Sequence, residues 1–299
     1  MTNSIQSDEG SLQDDVSIRK SSRPKTARIL PGFGLTLGFT LFYLSVLVLI
    51  PAIALANEVF SMHWQDFWNV VSASRVVAAL KLSFGAALLA ACINVVVGLL
   101  SAWVLTRYEF PGKKIVDAFI DLPFALPTSV AGISLTFILA GNGWIGRFFA
   151  PFGIELVFNR AGIVIALVFI GLPFVVRTVQ PVLEELAPEL EEAAACLGAT
   201  RWEIFSRILL PLASHSVLTG FAMALARGIG EYGSIVFISS NIPLFSEIAP
   251  QVIVGKLNEF DTVGATAVAV VMLIFSLVLL LFVNALQVRR SRRSNRGKG

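Results

Sequence analysis

Long apolar stretches recur along this chain, separated by short polar connections and one longer polar insert. The first runs from about Gly32 to Ala56. The others cover about Ala78 to Leu105, Ile115 to Ala140, Gly162 to Val182, Leu212 to Ser239 and Val263 to Val288. A helix needs about 20 apolar residues to cross a hydrocarbon core of about 30 Å, so each stretch is long enough to span a bilayer. Lipid offers no water to backbone N–H and C=O groups, which favours a helical bundle over a barrel. The pattern predicts an all-α integral membrane protein with six transmembrane helices, and with six spans both termini lie on one side. Residues 1–31 are polar, Ser-rich and of mixed charge, which predicts a disordered tail. Asp8, Glu9, Asp14 and Asp15 argue against an organelle transit peptide. The first apolar stretch is too long and too far in for a cleaved signal, so it is expected to be retained as a helix.

Several stretches are interrupted. The third carries Asp121-Leu122-Pro123-Phe124-Ala125-Leu126-Pro127-Thr128, where Pro123 and Pro127 each remove a backbone donor and should bend the helix. The fourth holds Pro173, and the fifth holds Gly220, Gly228, Gly230 and Gly233. Such helices need neighbours to cover their backbones, and both close packing and a solute path meet that need.

Composition agrees with a membrane protein. Of 299 residues, 56% are hydrophobic and 14% are charged, whereas soluble domains carry about 25% charge. The net charge of +3 says less than its placement. Arg19, Lys20, Arg23, Lys25 and Arg28 precede the first stretch, and Arg107, Lys113 and Lys114 follow the second. Arg177, Arg201 and Arg207 cluster around the connection between the fourth and fifth stretches, and Arg289, Arg290, Arg292, Arg293, Arg296 and Lys298 close the chain. The opposite connections hold Arg75, Arg147, Arg160 and Lys256, while Lys81 and Arg227 fall inside apolar stretches. By the positive-inside rule both termini and the insert are cytoplasmic, and the run at 289–299 is a cytoplasmic anchor rather than a nucleic-acid patch.

The insert, about residues 183–211, reads as two short helices joined by a sharp turn. Pro188 suits a helix start, and Glu189, Glu191 and Glu192 favour its first turns electrostatically. Gly198 sits where a left-handed C-terminal cap is expected. Thr200-Arg201-Trp202-Glu203 is a capping box for the second helix, on which Trp202, Phe205 and Leu209 recur as an apolar face. Ala193, Ala194 and Ala195 offer a small-residue surface on a stiff, capped knob. Glu192-Ala193-Ala194, three residues, Gly198, nine residues and then Ile208-x-Leu210-Pro211 resembles the cytoplasmic signature of permease subunits in bacterial ABC importers. The resemblance implies a six-helix bundle of the type I importer permease (MetI-like) kind, with this loop docking onto a separate ATPase.

Two further segments, Asp121 to Gly132 and Ala226 to Gly233, are similar to those of the T-type subunits of sulfate/thiosulfate permeases, over about residues 33–288. Molybdate permeases are similar at both places, so a molybdate/tungstate or other oxyanion importer is the alternative. The resemblance implies a second, W-type permease subunit, an ATPase subunit dimer that holds ATP and Mg, and an extracytoplasmic sulfate/thiosulfate-binding protein. It also implies the bacterial inner membrane.

The remaining chemistry is mostly exclusion. No GxxxxGK[ST] loop occurs, since Gly112-Lys113 and Gly255-Lys256 lack the upstream glycine and the following hydroxyl, so no ATPase site or cofactor is expected on this chain. Cys92, Cys196, His63 and His215 show no metal-ligand spacing, and no metal is expected. Ser214-His215-Ser216 has no GxSxG elbow, and neighbours on a helix point in different directions. A secondary transporter would show repeated halves and would leave the insert unexplained. Arg227 and Glu231 stand at i and i+4 of the fifth stretch. An unpaired Arg at mid-membrane costs about 2.5–3.5 kcal/mol on insertion scales, so the two form either a structural ion pair or the cationic lining of an anion path.

Overall fold

The computed structural model describes residues 33–296, with side chains described except at Pro188 and over 288–296. The expected polar tail, residues 1–31, and the final residues 297–299 lie outside that range. Every regular element in it is helical: α1 (Phe33–Ser61), α2 (Trp64–Val71), α3 (Ser74–Arg107), α4 (Lys113–Ala125), α5 (Thr128–Leu139), α6 (Gly146–Phe149), α7 (Arg160–Glu185) and α8 (Pro188–Cys196). The chain continues with α9 (Arg201–Ile204), α10 (Leu210–Ile229), α11 (Ile235–Ile238), α12 (Ala249–Asn258) and α13 (Thr262–Arg296). A π turn at Phe205–Leu209 joins α9 to α10 without a break. Among the described residues, five helical stretches are long and apolar enough to cross a membrane: α1, α3, α7, α9 through α10, and the Thr262–Gln287 part of α13.

Internal contacts divide the chain at Ile53, within α1. The described part of the first unit is one apolar helical stretch with Pro51 inside it and with Phe39 and Tyr43 stacked at 6.5 Å. In the second unit α3, α7 and α10 pack against one another. Small residues let their backbones close up, as membrane helices require when lipid is as apolar as the side chains. Ala86, Ala87, Ala90, Ala91 and Ala102 of α3 are buried there. A Cβ on Gly98 would lie 2.8 Å from the Cβ of Val175, and one on Gly220 would lie 2.9 Å from the Val175 backbone. Asn94 is buried in this centre beside Gly171 and Ala224, with neither amide atom bonded among the described residues. Arg107, at the end of α3, bonds the carbonyl of Leu186, just past the end of α7. These ends therefore lie together, and Ser74 and Arg160 mark the opposite end of the bundle.

The third predicted stretch is two helices rather than one bent one. Pro123 lies inside α4 and does not stop it. Pro127 does, because a proline forces the residue before it out of helical geometry, and Leu126 is extended at φ −91°, ψ 137°. The fifth stretch ends early: α10 stops at Ile229, and the rest of the predicted span is a turn followed by α11. The second helix of the insert is no separate piece but the start of this same rod. α13 runs on through the basic residues expected as a tail from 289, as far as Arg296.

Candidate functional site

The polar insert folds as a hairpin whose tip is a complete Schellman turn. α8 opens on Pro188 with Glu189 and Glu191 in its first turn, where the helix dipole favours acids. At its other end Ala199 N–H bonds the Ala194 carbonyl at 3.0 Å, and Gly198 N–H bonds the Ala195 carbonyl at 2.9 Å. These are the paired bonds that satisfy otherwise orphaned carbonyls. Gly198 supplies the left-handed backbone the turn requires, at φ +88°. The capping box then starts α9: Thr200 Oγ1 accepts from Glu203 N–H, and Glu203 accepts from Thr200 N–H at 2.9 Å. That backbone bond, with one from the Thr200 hydroxyl, holds the exposed Glu203 carboxyl below the usual carboxylate range.

The signature residues divide by face. Ala194 and Ala199 turn inward against the core, while Glu192, Ala193 and Gly198 are exposed. The alanines therefore do not form one continuous outer surface. Leu197 is 89% exposed and Trp202 71% exposed, so the outward apolar contacts are Leu197, which the sequence reading did not single out, and Trp202. Of the apolar face expected here, Trp202 is exposed and stacks on Phe205 at 5.6 Å, while Phe205 and Leu209 are buried. Leu210 N–H reaches back five residues to the Phe205 carbonyl. This widened turn accommodates Pro211, which has no N–H to give, and so Ile208, Leu210 and Pro211 mark a π turn rather than a helix stop.

The hairpin is anchored to the bundle by Arg107. Its Nε donates to Glu191 at 2.6 Å while a terminal nitrogen donates to the Leu186 carbonyl at 3.0 Å. Trp103 adds a ring contact to Phe205 at 5.4 Å. Above this anchor Arg177 of α7 ties down α4. It grips Asp121 with two bonds of 2.8 and 2.6 Å and reaches Asp117 at 2.7 Å and Gln180 at 2.7 Å. Bidentate guanidinium–carboxylate pairs fix geometry as well as charge. Sequence reasoning counted Arg177 among the cytoplasmic cations and missed this cluster; Asp117 and Asp121 at i and i+4 were the available signal.

Arg227 and Glu231 are paired at 2.5 Å, but not along one helix, since Glu231 lies in the turn beyond α10. Glu231 is 2% exposed and also accepts from the backbone N–H and hydroxyl of Ser234, each at 3.0 Å. This turn sits against the start of α5. A Cβ on Gly132 would lie 2.6 Å from Ser234 Cα, and one on Gly233 would press on Thr128. The two segments that carried the oxyanion-permease resemblance thus meet in space, with the Arg227–Glu231 pair at their junction. Pro127 sets where α5 begins, so it belongs to this junction, whereas Pro123 does not. Among the described residues no cluster of His, Cys, Asp or Glu could hold a metal ion.

A model of the family described as binding-protein-dependent transport system inner membrane component matches residues 94–293. The sulfate transport system permease protein CysT of Escherichia coli (strain K12) is 46% identical over 266 residues, covering 89% of this chain and 96% of that one. The sulfate transport system permease protein CysT of Synechococcus elongatus is 50% identical over 254 residues, covering 85% and 91%. Among solved structures, a bacterial ABC transporter involved in the import of the acidic polysaccharide alginate aligns with a TM-score of 0.71 at 18% identity, over 86% of this chain and 94% of that one. At that identity the likeness is one of fold.

Proposed function

The chain belongs to the family of binding-protein-dependent transport system inner membrane components, and from that premise we propose that it is a membrane subunit of an ATP-driven sulfate importer, taking thiosulfate by the same route. The observation that carries the coupling role is the capped hairpin at Glu192–Gly198, rooted by Arg107 to α3 and to the end of α7. The similarity to sulfate permease proteins over nearly the whole length of both chains supports the substrate.

In this reading the hairpin faces the cytoplasm of a bacterium and docks onto a pair of ATPase subunits, which hold ATP and Mg. A second permease subunit of the W type completes the path, and an extracytoplasmic binding protein delivers the oxyanion. The chain performs no hydrolysis. ATP binding closes the partner ATPases, the hairpin moves with them, and Arg107 passes that movement to α3 and α7. The bundle opens at its far end, the binding protein releases its anion there, and hydrolysis restores the inward-open form. The glycine at the hairpin tip gives the test. Gly198→Asp puts a bulky, charged side chain at φ +88° on an exposed tip. Inserted protein that no longer copurifies with the ATPase is the expected result; retained association with full sulfate uptake would refute the docking role.

A further inference from the structure

The end of the bundle opposite the hairpin carries charges that the coupling mechanism does not use. α3 has 34 residues and so is about 51 Å long, longer than a hydrocarbon core of about 30 Å. Lys81, about two turns in from Ser74, lies near the outer edge of that core. It is exposed and makes no hydrogen bond or ion pair among the described residues. With Gly85, Arg160, Leu244, Phe245 and Glu247 it lines a cavity of about 460 Å³. Gly85 leaves the wall open, with no atom within 4 Å of where a Cβ would stand.

The charges on this wall do not cancel. Glu247 is committed to Arg75 by two bonds of 2.8 and 2.7 Å. Arg160 has neutral partners: its Nε donates to the Phe245 carbonyl at 2.7 Å, a terminal nitrogen reaches the Leu244 carbonyl at 3.4 Å, and the guanidinium lies 5.2 Å from the Phe245 ring centre. Lys81 and Arg160 therefore leave two uncompensated positive charges on one cavity. The loop that completes it is held in a fixed shape. Leu244 is left-handed at φ +67°. The Ser246 hydroxyl pairs with that of Ser240 at 2.6 Å and accepts from Ile242 N–H at 3.1 Å, while Ser239 bonds the Ser246 carbonyl at 2.6 Å.

We propose that this cavity is an entry subsite for the transported oxyanion, which rests between Lys81 and Arg160 after release and before it passes Arg227. The inference rests on the importer reading above and adds the residues that would meet the substrate first. A tetrahedral oxyanion could also come from a lipid phosphodiester, but that group carries one negative charge, and two cations with no carboxylate partner match a dianion.

The test uses the complete transporter reconstituted in proteoliposomes, with Lys81→Gln, Lys81→Arg and, as a control at the hairpin end, Lys114→Gln. Equilibrium binding of radiolabelled sulfate to the complex trapped with ATP and vanadate should weaken about tenfold in Lys81→Gln, the factor lost with about 1.4 kcal/mol. Lys81→Arg should restore it, Lys114→Gln should leave it unchanged, and uptake should fall in parallel. Unchanged binding and uptake in Lys81→Gln would overturn the subsite while leaving the importer reading intact. So would loss of a copurifying anionic phospholipid, seen by mass spectrometry, without any change in sulfate binding. Wild-type transporter that takes up no sulfate would overturn both.

Discussion

Gly132 and Gly230 stand in the two segments that carried the oxyanion-permease resemblance, yet their surroundings differ. A Cβ on Gly132 would lie 2.6 Å from Ser234 Cα, backbone that cannot step aside, whereas nothing lies within 4 Å of a Cβ on Gly230. Overpacking of this kind costs about 1–3 kcal/mol. Gly132→Ala should lower the thermal stability of the purified protein by that amount and disturb the Arg227–Glu231 turn, while Gly230→Ala, at φ −88°, should be close to neutral. Equal melting temperatures for the two variants would show that the α5 junction is looser than its geometry implies. The sequence alone does not separate these two glycines, because it does not show which backbone faces which. For the same reason Arg177 read as one more cytoplasmic cation, although three side chains converge on it.

At the scale of elements, the hairpin was the most legible part of the chain. Its turn and caps depend on contacts within a few residues, and Gly198, Thr200 and Glu203 stand where local geometry requires them. Tertiary effects were less legible. Pro123 and Pro127 look equivalent in the sequence, but the first lies within α4 while the second pushes Leu126 into extended backbone. The amphipathic α2, where Trp64 stacks on Phe67 at 5.8 Å, is too short to stand out against its apolar neighbours. The capping box also has a pH signature. Glu203 sits below its usual range, so its cap is fully formed above the ordinary carboxylate range and is lost as pH falls through the lowered folded value. Hydrogen exchange at the first amides of α9 should therefore be insensitive to this group near neutral pH and should gain an extra, cap-dependent acceleration on the acid side. Thr200→Ala should remove that feature and cost about 1 kcal/mol of local stability. The same acid-side profile in Thr200→Ala and wild type would argue against the cap.

For the molecule as a whole, the question is how movement at the hairpin reaches the far end. Arg107 joins Glu191 to the Leu186 carbonyl, so α3, α7 and α8 share one polar joint. Arg107→Ala should leave the ATPase bound through the exposed tip while lowering the number of sulfate ions taken up per ATP hydrolysed. An unchanged ratio in proteoliposomes would place the linkage elsewhere. A second connection is covalent, since the rod that begins at Arg201 passes through the π turn and continues to Ile229. Such a turn amounts to one extra residue wound into an α-helix. Tightening this turn into regular α-helix with no residue removed would swing everything beyond it by about 100°. Gly220 and Gly228 would then face away from α7 and α3. The bulge thus serves as an angular key, setting the rotational phase between the surface that grips the motor and the wall that the cargo passes.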